Sequence, residues 1–467
     1  MLRSHATGSS LGHFPSVRSV VLAVAGFVVA VSAATSGAHG DDWPQWLGTQ
    51  RDGVWRETGI LKAIPDNKLK VEWRVPVGAG YSGPSIAGRR VFLTDRVAEG
   101  QDPDSPFTRG AVPSLERVLC LDETDGKIVW KHEYPCTYTV SYPAGPRCSP
   151  TIADGRLFTL GAEGHLFGFS ADDGKVLWSH DLKQVYGLKQ SPVWGFSSHP
   201  LVDGESLICL VGGEGSAVVA FDVATGKERW RALTATGPHG PGYGPPVICE
   251  AAGKRQLIVW LPDAVNSLDP VTGAVLWSMP CSAREGLTAP MPRQSGNRLF
   301  VTAFYDGPTM FELKSDAPGA VEVWKGKSRS EKNTDGLHSI MPTPFFEGDH
   351  IFGVCSYGQL RCLEAATGKR VWENLTATGA DKARNARWAN AFLVKHEDRW
   401  FLSNERGELV VAKLSPAGYE EISRAPLVAP TGNAGGRDVV WSHPAFAHQS
   451  VFARNDKELV RASLKAD

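Results

Sequence analysis

The chain has no surplus of either charge. Its 467 residues carry 49 lysines and arginines against 50 aspartates and glutamates, a formal net charge of −1, and setting aside the first forty removes Arg3 and Arg18 but no acid. That balance argues against nucleic acid as a partner. Long apolar runs are equally scarce: VVLAVAGFVVAVSAA, from Val20 to Ala34, is the one uncharged stretch, and nothing later is long enough to cross a bilayer. Past residue 40 there is no G-x-S-x-G, H-E-x-x-H, C-x-x-C or phosphate-cradling glycine loop. Cysteine is sparse too, with eight residues, none before Cys120 and no two adjacent.

What the chain does have is tryptophan at a stride. Trp73, Trp130, Trp178, Trp230, Trp277, Trp324 and Trp372 recur at intervals of about fifty residues, the period of a propeller blade. The unit is clearest in CLDETDGKIVW ending at Trp130, GFSADDGKVLW at Trp178, AFDVATGKERW at Trp230, SLDPVTGAVLW at Trp277 and CLEAATGKRVW at Trp372. Each copy reads as a β-hairpin, a strand entering an Asp/Thr-Gly turn and a second strand ending in Trp. A copy ending at Trp324 has a longer turn, and VAKLSPAGYEEI puts Ile422 in the Trp slot.

A step into proline precedes each hairpin, as in SGPSIA, CSPTIA, SHPLVD, GPPVIC, TAPMPR, PTPFFE and SHPAFA, with ANAFLV holding Ala391 in place of the proline. Adding the strand that follows gives four strands per repeat. KVEWRVPV around Trp73 has no hairpin before it, and the strands from His443 to Leu464 have no closing strand after them. Joining the two ends predicts an all-β, eight-bladed propeller of four-stranded antiparallel blades over residues 70–467, its ring closed by pairing the N-terminal strand with the C-terminal hairpin.

The N-terminus bears on location. Arg3 and Arg18, the apolar run and small residues at Ala38-His39-Gly40 read as a signal peptide over 1–40, followed by an extension over 41–69. The protein is expected to be exported, periplasmic or secreted and monomeric, with an N-terminal anchor if the signal stays uncleaved. Export permits disulfides. Most cysteines read as buried small hydrophobes, while Cys136 and Cys148, flanking the loop YPCTYTVSYPAGPRCSP, are the candidate bridge.

The pattern A-x-D-x-x-T-G-K-x-x-W resembles the quinoprotein-type, or PQQ-like, propeller repeat over roughly residues 70 to 464. That superfamily includes quinoprotein alcohol dehydrogenases and the propeller lipoprotein of the outer-membrane β-barrel assembly machinery, and WPQWLGTQRDGVW from Trp43 to Trp55 is similar to the start of exported PQQ-like repeat proteins. A lipoprotein would carry cysteine at the cleavage site, which this chain lacks. The resemblance implies that the repeated Trp and Gly are scaffold. It also implies, for a dehydrogenase, a Trp floor, a ceiling of two adjacent cysteines, a calcium ion and an Asp base. Trp388 or Trp441 fits the floor, Asp335 or Asp438 the base and Asn390 a cation ligand, but there is no adjacent cysteine pair.

The residues before each proline are predicted to ring one mouth of the channel and differ from blade to blade. They give Tyr81, Arg147, His199, Tyr243, Met341, Trp388, Asn390, Trp441 and His443 as ligand-binding candidates; the same residues also read as channel filling. His165, in GAEGHL, reads as an exposed turn residue. The insertion between Asp95 and Glu116 is a disordered loop or a contact arm, and Lys325, Lys327, Arg329, Lys332, Lys382, Arg384 and Arg387 form a candidate basic rim. A binding or assembly scaffold for protein or envelope polymer, without metal or cofactor, is the expected function. The alternatives are a dehydrogenase using pyrroloquinoline quinone with calcium and a carbohydrate-binding propeller.

Overall fold

Eight four-stranded antiparallel sheets follow one another in the computed structural model, which describes residues 41–380 and 386–466. The proposed leader, Lys382 and Arg384 lie outside the described residues. Seven blades are continuous in sequence, beginning with Ser85–Ala87, Arg90–Ala98, Ser114–Asp122 and Ile128–Pro135. The eighth joins Ala445–Ala447, Ser450–Arg454 and Glu458–Ser463 to Lys70–Pro76, which pairs with Glu458–Ser463 from Lys70↔Ser463 to Pro76↔Glu458. The ring therefore closes as the unmatched ends of the sequence predict. First strands of neighbouring blades meet around the axis, and second strands such as Ser206–Leu210 are buried throughout. No helix of the described residues is long and apolar enough to cross a membrane.

The repeated motif is an inter-blade joint. In every blade the last two strands carry a register shift just before the Trp slot, as at Ala220/Phe221 and Gly168/Phe169. Such a bulge adds a residue and twists the strand, re-aiming the side chain beyond it. The residue directly across from each Trp in the clear repeats is small: Cys120, Gly168, Ala220, Ser267 and Cys362. A Cβ on Gly174, whose φ is 71°, would come within 2.5 Å of the Trp130 ring from the preceding blade. The indole N–H then donates to a turn carbonyl of the next blade: Trp73 to Glu123 at 2.8 Å, Trp130 to Ala171 at 3.0 Å, Trp178 to Val223 at 3.1 Å, Trp230 to Pro270 at 3.2 Å, Trp324 to Ala365 at 2.9 Å and Trp372 to Ser415 at 2.8 Å.

Two positions depart from the pattern, each for a visible reason. Trp277 donates inside its own blade, to Gln256 Oε1 at 2.7 Å, because the next blade's turn, residues 314–319, is the lengthened one. Ile422 faces the blade in which chain ends replace the hairpin turn, so there is no turn carbonyl for an indole to meet. Residues 60–69 pack there instead, with Ile64 N–H donating to Ser423 Oγ at 2.8 Å.

The extension over 41–55 belongs to the hub. Trp43 exchanges backbone hydrogen bonds with Ile86 at 2.9 Å, Ile152 N–H donates to Pro44 at 2.9 Å, and Trp55 N–H donates to Lys395 at 2.8 Å. Buried Arg51 donates to the carbonyls of Pro200 at 3.0 Å and Pro246 at 3.4 Å, and Arg293 donates to that of Asp52 at 2.9 Å. The Phe345 ring stands against Gly53 and the Phe446 ring against Trp55. Every blade thus touches this segment.

All eight cysteines are free and buried. The Cys136–Cys148 bridge is not formed: the two thiols lie in different clusters, Cys148 with Phe158 and Phe196 and Cys136 with Val112 and Tyr138. The intervening loop folds over a blade junction instead of closing as a simple hairpin.

Trp230→Ala is expected to lower stability by about 3–5 kcal/mol, the range for emptying a buried aromatic site. Trp277→Ala should cost less, because its ring is only half-buried to begin with. Unfolding midpoints of the two variants check the order.

Candidate functional site

The channel opens at one mouth into a cavity of about 420 Å³. Its lining contains eight of the nine residues that the spacing before proline selects, namely Tyr81, Arg147, His199, Tyr243, Met341, Trp388, Trp441 and His443. Asn390 is the exception. It is fully buried behind the wall, its Nδ2 donating to the Trp388 carbonyl at 3.2 Å and its Oδ1 without a hydrogen-bond partner.

The walls are ring faces and edges. Trp388 and Trp441 stand nearly perpendicular, 84° apart with centroids at 6.4 Å, and Tyr142 lies 5.7 Å from Trp441. Phe107 packs on Trp388 at 5.8 Å, and Trp194 on Tyr243 at 5.4 Å. Two guanidiniums lie over rings, Arg147 5.2 Å above Tyr81 and Arg387 4.6 Å above Trp388. Arg387 pairs with Glu331 at 2.7 Å. Arg147 is held by backbone carbonyls, among them Ser141 at 2.9 Å, and no carboxylate among the described residues forms an ion pair with it. Burial raises the Tyr81 and Tyr243 phenols, which stay protonated, and pushes Tyr142 up to about 12.

The floor comes from the extension. Trp46 stacks on His199 with centroids 4.4 Å apart and an interplanar angle of 4°, and meets His443 edge-on at 4.3 Å. Leu47, Met291 and Phe392 complete this plug. Ser149 N–H donates to His199 Nδ1 at 3.0 Å, so that nitrogen is unprotonated, and Ser149 Oγ bonds His443 Nε2. Burial drives His199 well below its ordinary range and His443 to about 3. Both imidazoles are neutral at pH 7.

Trp388 and Tyr142 hold left-handed backbones, φ 67° and 55°, as does Glu285 at 58°. Bulky side chains take this region at a cost of about 1–3 kcal/mol. All three line the cavity.

The weaker candidates fall elsewhere. Asp335 lies in a loop where it accepts the Lys327 and Ser328 N–H groups at 2.6 and 3.1 Å, and Asp438 is exposed on a two-residue strand; neither reaches the cavity. Arg329 is neutralised by Asp306 at 2.6 Å, as Arg387 is by Glu331, so the basic rim is weaker than the sequence suggests. His165 opens the strand His165–Ser170, half-buried, and is not an exposed turn residue. The insertion is a contact arm: Arg96 pairs with Asp102 at 2.7 Å, Val112 bridges Tyr138, and Phe107 reaches the cavity. Sequence reasoning missed Trp46, Phe107, Tyr142 and Trp194. WPQWLGTQ and SPVWGF were signals for two of them, as aromatics outside the blade repeat.

The family model described as outer membrane protein assembly factor BamB matches residues 58–244 and 261–465, and the chain belongs to that family. Among curated relatives, the dehydrogenase subunit of a quinone alcohol dehydrogenase from Gluconobacter oxydans is 23% identical over 45% of this chain and 27% of its own length. Methanol dehydrogenase subunit 1 from Paracoccus denitrificans is 25% identical over 47% of this chain and 35% of its own. The chain thus spans about a third or less of the curated relatives it matches. Among solved structures, BamB from Moraxella catarrhalis superposes with a TM-score of 0.54 at 13% identity, covering 85% of this chain and all of that one. Quinohemoprotein alcohol dehydrogenase from Comamonas testosteroni gives 0.57 at 12%, covering 91% and 81%. These likenesses show the fold.

A histidine held neutral by burial binds fewer protons folded than unfolded, so its contribution is complete above about pH 6.5 and is lost as pH falls toward the folded value. Stability of the wild type is expected to fall between about pH 6.5 and pH 5. The double variant His199→Asn, His443→Gln should show a flatter profile in denaturant titrations at the two ends of that window.

Proposed function

We propose that this propeller is an exported, non-catalytic binding scaffold that takes a ring-bearing part of a protein or envelope polymer into its aromatic funnel. The observation that carries the reading is a cavity walled by Tyr81, Tyr142, Trp388 and Trp441, floored by Trp46, with Glu285 as the lone carboxylate in its lining. Such a surface offers stacking area and a guanidinium at Arg147 but few groups to move a proton. Backbone strain at Trp388 and Tyr142 supports binding, since such conformations persist where the surrounding fold pins a side chain for use. The family's description as an assembly factor agrees with a scaffold role and with an extracytoplasmic location.

The quinone reading draws support from the relatives but little from these residues. A calcium ion needs about six to eight oxygen ligands. Glu285 already accepts from His239 at 3.0 Å at the rim, Asp335 and Asp438 are outside the cavity, and the orphaned Asn390 Oδ1 is a single oxygen. The plane beneath the funnel is taken by Trp46 on His199. The residues present do not fit pyrroloquinoline quinone with calcium.

Tryptophan fluorescence of the protein titrated with aromatic-containing peptides, with peptidoglycan muropeptides and with pyrroloquinoline quinone plus calcium tests the proposal. Saturable quenching by a peptide or muropeptide is expected, with affinity falling tenfold or more, about 1.4 kcal/mol, in Trp388→Ala or Trp441→Ala. Saturable stabilisation by quinone and calcium, lost in Trp388→Ala, would replace the scaffold reading with the dehydrogenase one. Tight binding of the sugar moiety without peptide would favour a carbohydrate binder.

A further inference from the structure

Away from the funnel, the junction of the first and second blades buries a carboxylate that has no ion-pair partner among the described residues. Glu116, on the strand Ser114–Asp122, is 1% exposed. Its oxygens accept the hydroxyls of Tyr134 and Tyr138 and the Ala162 N–H, the last at 3.0 Å. Among the described residues no Lys, Arg or His forms an ion pair with it. Arg96, its partner across the strands, turns to Asp102 at 2.7 Å and to the Tyr138 ring. A buried anion left with neutral donors alone is costly unless a positive charge comes to it.

Two side chains of metal-ligating type lie beside that carboxylate. Cys136, 3% exposed, follows the last strand of the first blade, and half-buried His165 opens the third strand of the second. Cys136 Sγ and His165 Nδ1 are 3.7 Å apart, and a carboxylate oxygen of Glu116 completes a triangle in which all ligand atoms lie within 4.8 Å of one another. Tetrahedral zinc, with bonds of about 2.3 Å to sulfur and about 2.0 Å to nitrogen, sets those two atoms about 3.6 Å apart. The sulfur and nitrogen already stand at that separation.

We propose that Glu116, Cys136 and His165 form a site for one zinc-class divalent cation that fastens the first blade to the second. On binding, the Cys136 thiol gives its proton to solvent, and thiolate and carboxylate together match the two positive charges of the ion. Sulfur and imidazole ligands select zinc over calcium or magnesium. The Tyr134 and Tyr138 hydroxyls orient the carboxylate, the kind of outer support that tunes metal affinity. The contact arm lies over this joint through the Val112–Tyr138 bridge, so the ion would steady the arm that carries Phe107 to the funnel.

The test uses the full chain, stripped with chelator and titrated with zinc by calorimetry and with cobalt(II) by absorption. One equivalent of zinc is expected to bind and raise the melting temperature, and cobalt should give a thiolate charge-transfer band. Cys136→Ser should abolish the band and His165→Gln should weaken zinc binding at least about tenfold, while Cys148→Ser, a buried thiol outside the triangle, changes neither. His165→Gln alters a half-buried position, so its metal-free melting temperature should stay near wild type even if Cys136→Ser disturbs the core. Absence of saturable zinc binding overturns the proposal, as does a cobalt band that persists in Cys136→Ser or an affinity unchanged in His165→Gln.

Discussion

An indole laid across the turn of the next blade is the contact on which this molecule depends. Each such Trp buries its ring against a left-handed glycine where one is present and hands its N–H to a carbonyl that the turn leaves over. One side chain therefore supplies both the apolar contact and the polar satisfaction that a buried indole requires. The requirement propagates outward through the sequence. The turn needs glycine, the residue opposite the Trp is small in the five clear repeats, and the strand needs a bulge to aim the ring forward. Where the next turn is lengthened, Trp277 finds Gln256 instead; where the next turn does not exist, Ile422 takes the slot. The irregular repeats are thus consequences of the same contact.

A contact that recurs is legible, and one that occurs once is not. The blades, their number and the closing of the ring follow from the Trp and Pro markers alone, because each is repeated often enough to be recognised. The ring of residues before proline follows by the same logic, since a position fixed by the scaffold but varied in identity points into the channel; Tyr81, Tyr243, Trp388 and Trp441 are all found there. Trp46 and Phe107 belong to segments without periodicity, and only long-range packing brings them to the funnel. Asp335 and Asp438 fit the base that the resemblance implies by residue type alone. Spacing gives the height of a residue on a blade, however, and a loop that caps its own backbone with the carboxylate removes Asp335 from the cavity. Cys136 and Cys148 failed similarly, since closeness in sequence across a folded-over loop is not closeness in space.

The relatives share this scaffold. The family assignment and the superpositions rest on blades whose spacing is set by the indole contact, so they carry little information about the chemistry above it. The chemistry of this chain's mouth lies in the rings and guanidiniums that the varied positions supply, with Glu285 the one carboxylate of the lining among the described residues. A propeller can exchange that set without touching the joint between blades, since the channel-mouth residues precede the first strands and the joints lie on the last two.

The extension that reaches every blade also decides how anything leaves the funnel. With Trp46, Leu47, Met291 and Phe392 across the axis, the channel is blind at its inner end: whatever enters must turn back and depart by the opening it came through. Arrival and departure then share the same aperture, and anything longer than the funnel is deep has only its tip inside.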